Sequence, residues 1–322
     1  MTGQAVLITG GTGTFGQAFV RHALDRGAAR VIAVARNSEA RYRLQQAHRG
    51  DSRLSVWPCR VDQARDVDAV CEMAGQIDVL VHAAAEKHIT TGQAFSAYTR
   101  EVNVGGALSV IDVAAKRLIP RVIALSTDKA CEPYNFYGET KAEAEQLFLE
   151  AGHTVVRYGN VVGSSGSVLP LFIQQRSTGR ITVTDRQMTR FFMPIADESP
   201  WRVEQMPDHQ PVMSAVGLVQ FAMTHGEGGD LFVPTIPSGS IQSLAEQIGP
   251  GCVIEETGIR DGETLHEKLI ADAEVPRTYR LIDGVFVVLP TPVSHLAPVE
   301  PGFRYTSDVH AQPIRVVEAV AA

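Results

Sequence analysis

Tyr137 and Lys141 stand four residues apart at the start of a predicted helix, so their side chains share a face. An ammonium beside a phenol lowers the phenol's pKa and makes phenolate available as a base toward an alcohol. Such a base removes a hydroxyl proton while the same carbon gives up a hydride. A surface Tyr–Lys pair is the bland alternative. Ten residues before Tyr137, Thr127 falls in the run Leu125-Ser126-Thr127-Asp128-Lys129 at the C-terminal end of a predicted strand. Open α/β sheets bind their ligands at that edge. Thr127 offers the hydroxyl donor that alcohol oxidation needs. Asp128 and Lys129 are ionisable groups that oxidation alone does not require, so they point to additional proton transfers. A solvated loop with an incidental Asp–Lys pair is the competing reading.

A hydride needs an acceptor. The segment ITGGTGTFG spaces Gly10, Gly13 and Gly16 three apart between an apolar strand and an amphipathic helix. Gly10 permits a tight turn, Gly13 lets a pyrophosphate approach, and Gly16 lets the helix pack against the sheet. The diphosphate of a nicotinamide dinucleotide would lie over the helix N-terminus, where unpaired N–H groups favour anions. Thr12, Thr14 and Phe15 of the same turn complete the expected contacts. At the end of the next strand, where an acidic residue would bond the ribose 2′-hydroxyl of NAD, the chain reads VARNSEARYR, with Arg36 in the place of the carboxylate. Arginine pairs well with a 2′-phosphate, so the expected cofactor is NADP, with NAD as the alternative. Arg36 stacking on adenine or facing solvent, and Glu39 turning toward the ribose, are the competing readings.

These residues need a frame, and the pattern supplies an alternating one. Ala5–Thr9, Arg30–Ala35, Leu54–Trp57, Asp78–Ala83, Val122–Ser126 and Thr154–Arg157 are short apolar runs. Helical stretches lie between several of them, notably from Phe15, over 67–75, over 97–117 and over 136–151. That alternation predicts an α/β fold, a Rossmann-type parallel sheet with helices on both faces. Beyond about Gly159, glycine, serine and proline become frequent and elements shorten. Residues 1–160 are therefore expected to form the dinucleotide-binding core. Residues 161–322 are expected to be a smaller, mainly substrate-binding region, with possible return segments to the core.

Composition narrows the function classes. At 322 residues with 44% hydrophobic and 20% charged residues, the chain is ordinary globular material. A net charge of −7 argues against general attraction to nucleic acid or anionic membranes. No apolar run reaches the about 18 residues of a membrane span, and the first residues lead straight into a strand, so a cytoplasmic protein without a secretory leader is expected. Cys59, Cys71, Cys131 and Cys252 are scattered, which suits free thiols and no metal site.

The chain resembles the extended short-chain dehydrogenases/reductases, and within them the soluble UDP-N-acetylglucosamine 4,6-dehydratases of bacterial sugar biosynthesis. The resemblance runs through TGGTGTFG (9–16), HAAAEKH (82–88), STDKACEPYNFYGETK (126–141), RYGNVVGSSGSVLP (157–170), TDRQMTRFFM (184–193) and RDGETLHEKL (260–269). It implies that Tyr137 takes the proton from the sugar O4, supported by Lys141, with Thr127 bonding the same oxygen. It implies that Lys129 removes the C5 proton and Asp128 protonates the departing 6-hydroxyl. A hydride returned to C6 gives a 4-keto-6-deoxy nucleotide sugar, with C5 inverted. It adds Ala83, Ala84 and Lys87, beside Tyr137 and Lys141, to the cofactor contacts. Lys87, Asn160, Thr184, Met188, Arg190, Arg260 and Glu263 are the substrate contacts it implies, and His88 stands near them or serves the structure. It also implies a homo-oligomer acting on a UDP-sugar or close analogue. The chain departs from the family at Arg60, Ser165, Thr264 and the stretch ITTGQAF (89–95). The loss of cationic residues at Ser165 and Thr264 leaves the sugar and base open. A nucleotide-sugar 4-epimerase, which leaves Asp128 and Lys129 idle, is the alternative activity, and a non-catalytic cofactor-sensing protein is a third.

Overall fold

Ala5–Thr9 (β1) is buried at every position, as a strand covered by helices on both faces must be. The computed structural model describes residues 1–87, 95–164, 166–205, 210–294, 296–311 and 314–318. It divides into two units whose chain segments interleave. The first is Met1–Ser126, Phe136–Val156 and Val219–Leu231; the second is Thr127–Asn135, Arg157–Leu218 and Phe232–Ala322.

In the first unit β1 pairs in parallel with Arg30–Ala35 (β2) on one side and Val79–His82 (β4) on the other. Leu54–Pro58 (β3) continues the sheet beyond β2, and Val122–Thr127 (β5) beyond β4. Thr154–Tyr158 (β6) lies beside β5, giving the order β3-β2-β1-β4-β5-β6. The direction of strand addition reverses between β1 and β4, which is where such sheets open a crevice for a ligand. Thr14–Asp25 (α1), Ala64–Ala74 (α3), Gly106–Lys116 (α4) and Phe136–Glu150 (α5) flank the sheet. The last segment of the unit joins through the Val155 N–H, which donates to the Asp230 carbonyl at 2.9 Å, and through Arg121, which donates to the Met223 carbonyl.

Two local features differ from the sequence reading. Ser38–Ala47 (α2) follows β2, capped by Asn37, whose side chain accepts from the Ala40 N–H at 2.8 Å. Leu44 alone is buried on it, so it carries almost no apolar periodicity to detect. The single helix expected over 97–117 is instead Ser96–Arg100, a π-helical turn Glu101–Gly105, and α4. The wide turn holds Asn103, which is buried. Asn103 accepts from the Glu86 N–H at 2.8 Å and donates to Thr140 Oγ1 at 2.9 Å. π turns recur where a side chain must be re-aimed for function.

The second unit is built around Thr189–Met193 (β9), which pairs in parallel with Asn160–Val161 (β7) and antiparallel with Ser238–Ser240. Arg180–Val183 (β8) pairs with Val253–Glu256, and Lys268–Ile270 pairs with Tyr305–Thr306. Leu169, Phe172, Ile181, Phe192 and Leu244 form its apolar centre. Arg157 and Glu274 make a buried two-pronged pair, Nη1 to Oε2 at 2.7 Å and Nη2 to Oε1 at 2.9 Å. Burial would raise the Glu274 pKa, but the Arg157 guanidinium outweighs it and holds the carboxyl below its usual range. The pair's contribution is therefore full above the unfolded carboxyl pKa and disappears as pH falls through the depressed folded value. Arg157→Met should lower the unfolding free energy by about 3–5 kcal/mol, because it strands a buried carboxylate. Denaturant unfolding measures this.

Among the described residues, no helix is long and apolar enough to cross a membrane, and no group of three or more His, Cys, Asp or Glu is placed to hold a metal ion. All four cysteines are free thiols. Burial pushes Cys59 up to about 12 and Cys71 up to about 11.

Candidate active site

The glycine turn after β1 is as tight as its sequence requires. Gly10 has φ +69°, and a Cβ there would lie 2.8 Å from the Ala84 nitrogen and 2.9 Å from the Ala83 carbonyl. A Cβ on Gly16 would fall 2.3 Å from the Gly10 carbonyl oxygen, inside the turn itself. Gly11 adds a constraint the triplet rule overlooks: its Cβ would sit 2.7 Å from that of Ala33 on β2. At Gly13 a Cβ would meet only the Gly10 oxygen, at 3.3 Å, among the described residues. The turn is therefore closed at Gly10, Gly11 and Gly16 and open at Gly13, the cradle a diphosphate needs at the N-terminus of α1. Gly16→Ala should destabilise the fold by about 1–3 kcal/mol through overpacking. Gly13→Ala should fold normally yet weaken dinucleotide binding at least about tenfold, or 1.4 kcal/mol. Thermal unfolding and cofactor titration separate the two.

The ends of β1 and β4 are fastened by Thr9. Its hydroxyl lies 2.9 Å from His82 Nδ1 and accepts from the Ala83 and Ala84 N–H groups at 3.2 and 3.3 Å. Burial, helped by the Lys141 charge, pushes His82 down to about 3, so it stays neutral. Neither residue was singled out as a site residue in the sequence. Lys87 is exposed and follows a half-buried stretch that Asn103 anchors through Glu86. His88 and most of ITTGQAF lie outside the described residues, as does Ser165.

Tyr137 and Lys141 occupy successive turns of α5, both buried. Lys141 Nζ donates to the Leu125 carbonyl of β5 at 2.8 Å. Burial pushes it down to about 8, with Glu145 opposing. It thus combines a positive charge at neutral pH with a poor hydration shell, which suits an ammonium that must act on a neighbouring phenol or hydroxyl.

In the second unit, Thr127 Oγ1 donates to Asp128 Oδ1 at 2.7 Å. Lys129 Nζ lies 3.2 Å from each Asp128 oxygen and 3.1 Å from Oε1 of Glu267. Burial favours the neutral amine, but the two carboxylates outweigh it and hold Lys129 above the usual lysine range. Burial likewise pushes Asp128 up, yet the Lys129 ammonium and the Thr127 hydroxyl hydrogen bond leave it below the usual carboxylate range. Glu267 is driven the other way, up to about 7, by burial and by the Asp128 charge.

Glu267 escaped the sequence reading, which took Glu263 from the same segment. The residue precedes the strand Lys268–Ile270. Its N–H donates to Ser307 Oγ at 2.9 Å and its carbonyl accepts from the Ser307 N–H at 2.8 Å. Its only local signal is a carboxylate set in a stretch of chain that the strand pairing buries.

The expected substrate residues are only partly gathered. Asn160 Nδ2 donates to Glu267 Oε2 at 2.8 Å and to the Phe191 carbonyl at 3.1 Å. Arg190 Nε pairs with Glu267 at 3.1 Å, and its two terminal nitrogens donate to the carbonyls of Thr189, Leu265 and Thr264. Asn160, Arg190 and Lys129 therefore converge on one carboxyl. Met188 instead packs in the apolar centre, Thr184 is half-buried, and Arg260 pairs with Glu263 at 2.9 Å.

The family model described as "Polysaccharide biosynthesis protein" matches residues 6–206 and 209–288. The chain is 30% identical to the UDP-N-acetylglucosamine 4,6-dehydratase (inverting) of Campylobacter jejuni strain 81-176, over 96% of this chain and 94% of that one. It is 32% identical to the UDP-glucose 4-epimerase of Rickettsia massiliae, over 87% and 81% of the two chains. Among solved structures it resembles Pen from Bacillus thuringiensis with a TM-score of 0.83 and 28% identity, covering 95% of this chain and 92% of that one. It also shares its fold with the dTDP-glucose 4,6-dehydratase DesIV from Streptomyces venezuelae, solved with NAD, at a TM-score of 0.67 and 20% identity over 81% and 86% of the chains.

The expectation of NADP is corrected by these neighbours. DesIV was solved with NAD, and so were the related structures from Bacillus anthracis and Bordetella bronchiseptica. The arginines that prompted the expectation have other partners. Arg36 donates to the Tyr98 hydroxyl, with its guanidinium 5.6 Å from the centre of that ring. Arg41 donates to the carbonyls of Ala35 and Arg36, at 2.9 and 2.6 Å, and Arg43 pairs with Glu39 at 2.5 Å. A basic residue after β2 signals a 2′-phosphate only when its fork is left for the ligand.

Proposed function

Because this chain belongs to the polysaccharide biosynthesis protein family of nucleotide-sugar-modifying extended short-chain dehydrogenases/reductases, we propose that it is a nucleotide-sugar 4,6-dehydratase using NAD, with UDP-N-acetylglucosamine or a close analogue as substrate. The observation that carries this reading is the Asp128–Lys129 pair directly after Thr127, with Asp128 buried and Lys129 half-buried. An epimerase has no work for it.

NAD would lie on the glycine turn, with Ala83, Ala84, Lys87 and Lys141 completing its contacts; when bound, its nicotinamide accepts the C4 hydride and returns it at C6. Tyr137, as phenolate supported by Lys141, takes the O4 proton, and Thr127 bonds the same oxygen. The resulting C4 ketone acidifies C5–H. Lys129 takes that proton as the free amine, the C6–O bond breaks, and Asp128 gives its proton to the departing oxygen, which leaves as water. The resting pair stands one proton shift from this state: moving a proton from Lys129 Nζ to Asp128 yields amine and acid, and elimination restores ammonium and carboxylate. A solvent proton added to C5 from the opposite face gives the inverted 4-keto-6-deoxy product. The second unit, with Asn160 and the Arg260–Glu263 segment, would hold the nucleotide. A cytoplasmic homo-oligomer belongs to the same proposal.

Incubation with UDP-N-acetylglucosamine and NAD in heavy water tests it. Loss of one water together with deuterium at C5 is the expected result. Likeness to the Rickettsia massiliae enzyme keeps one rival in view, and recovery of a C4 epimer alone would establish that rival instead.

A further inference from the structure

Glu267 is a buried carboxyl that the steps above do not use. Both its oxygens accept N–H groups: Oε1 from Lys129 Nζ and Arg190 Nε, each at 3.1 Å, and Oε2 from Asn160 Nδ2 at 2.8 Å. That is the pattern of an ionised carboxylate, which has no O–H to give. The charges match it, since Lys129 and Arg190 then face Asp128 and Glu267 as two cations and two anions. Glu267 is also held from behind. Its backbone pairs twice with Ser307, at 2.9 and 2.8 Å. Arg190 donates its terminal nitrogens to the Thr189, Leu265 and Thr264 carbonyls, so it braces both the carboxylate and the chain leading into it.

Lys129 Nζ is tetrahedral, with Cε at one corner. Asp128, whose two oxygens lie 3.2 Å away and share one N–H direction, and Glu267, at 3.1 Å, claim two of the others. Among the described residues no further acceptor meets the last corner. Once Lys129 has passed a proton to Asp128, two N–H bonds remain. Glu267 and the carbonyl oxygen of the protonated Asp128 accept them, and the lone pair takes the corner left over. With a single acceptor, rotation about Cε–Nζ would let the second N–H and the lone pair exchange places.

We propose that Glu267 is a positioning residue: its carboxylate, braced by Arg190, takes one N–H of Lys129 and so fixes the lone pair that receives the C5 proton. The proposal rests on the dehydratase reading. It gives Arg190 a different part from the substrate contact that resemblance implies. Proton balance is unchanged by it. The C5–H bond breaks and an N–H bond forms at Nζ, Asp128 gives its proton to O6, and Glu267 neither gains nor loses one.

Two measurements on the full-length enzyme with NAD, made above neutral pH, decide this. The first separates the steps. Glu267→Met keeps the length of the side chain but offers Nζ no acceptor, whereas Glu267→Gln keeps a carbonyl oxygen. In Glu267→Met, water loss and C5–H exchange in heavy water should fall about 10²-fold, the cost of a misplaced reacting group. C4 oxidation should continue, so reduced-nicotinamide absorbance should build up with UDP-N-acetylglucosamine. Glu267→Gln should lose less than about tenfold, because it exchanges a charged hydrogen bond for a neutral one. Should the unmatched Arg190 charge keep Glu267→Met from folding, Arg190→Met/Glu267→Met removes both charges and should show the same split. Equal losses in the Met and Gln variants, or C4 oxidation falling together with C5 exchange, overturn the proposal and leave Glu267 a structural link. The second measurement is NMR of the lysine nitrogens in the resting, isotope-labelled protein. The chain has only five lysines, Lys87, Lys116, Lys129, Lys141 and Lys268, so their signals separate. The Lys129 signal, assigned by its loss in Lys129→Met, should exchange protons with water at least about tenfold more slowly than that of exposed Lys116. Most of that protection should vanish in Glu267→Met. Equal protection in wild type and variant overturns the proposal whatever the enzyme does. If protection falls as expected but the wild type yields only a C4 epimer, the dehydratase reading falls and the hold of Glu267 on Lys129 stands.

Discussion

Replacing Lys129 with alanine is expected to slow water elimination by about 10²–10⁴-fold, the range for removing a general base, while NAD still binds. The side chain stands between Asp128 and Glu267, at 3.2 and 3.1 Å, and is the amine held against both. The cofactor contacts expected of the glycine turn lie elsewhere in the chain, so titration with NAD should give an unchanged affinity. Tyr137 and Lys141 also remain, so C4 oxidation should persist and reduced-nicotinamide absorbance should build up with substrate. The decisive readout is exchange of C5–H in heavy water. Exchange at the wild-type rate would remove Lys129 from the base role. Alanine also leaves two buried carboxyls without their shared counter-ion, and these relieve the repulsion by taking up a proton. Lys129→Met, which keeps most of the volume, serves as the second variant should alanine fail to fold.

Tyr137→Phe should be equally damaging at an earlier step. The ring is buried on α5, and phenylalanine fills the same space, so stability should change by less than about 1.5 kcal/mol. Without the phenolate no group takes the O4 proton, and kcat should fall about 10²–10⁴-fold. Here neither reduced-nicotinamide absorbance nor C5 exchange should appear. The two variants therefore divide the reaction at the ketone: one stops after it forms, the other before. Absorbance build-up in Tyr137→Phe would show that another group starts the oxidation.

What was legible in the sequence was whatever repeats locally. AVLIT and RVIAVA name β1 and β2 residue for residue, because strands buried on both faces leave little choice but apolar side chains. Gly10 and Gly16 were legible because backbone crowding within a few residues dictates them. The adjacent Asp128 and Lys129 were visible for the same reason. Glu267 was not: its importance comes from meeting a lysine 138 residues away, and nothing next to it in the chain reports that meeting. Arg36 misled because type and position matched a 2′-phosphate anchor, whereas its partner Tyr98 is 62 residues on. Met188 sits in a segment whose resemblance suggested ligand contact, but its apolar side chain packs in the apolar centre of the second unit. α2 went unseen because a mostly polar helix held by a cap and one leucine has no periodic signature.

The interleaving of the two units has a consequence for how the protein is made. The first unit receives its last segment, Val219–Leu231, only after the whole of the second unit's Arg157–Leu218 stretch has been synthesised. On the ribosome, the contacts of Val155 with Asp230 and of Arg121 with Met223 cannot form until that segment has left the exit tunnel. The nascent N-terminal half must therefore wait with one flank of β6 unfinished, a state in which an unpaired strand edge invites misassembly. Shortening the chain near residue 160 would make that waiting state permanent.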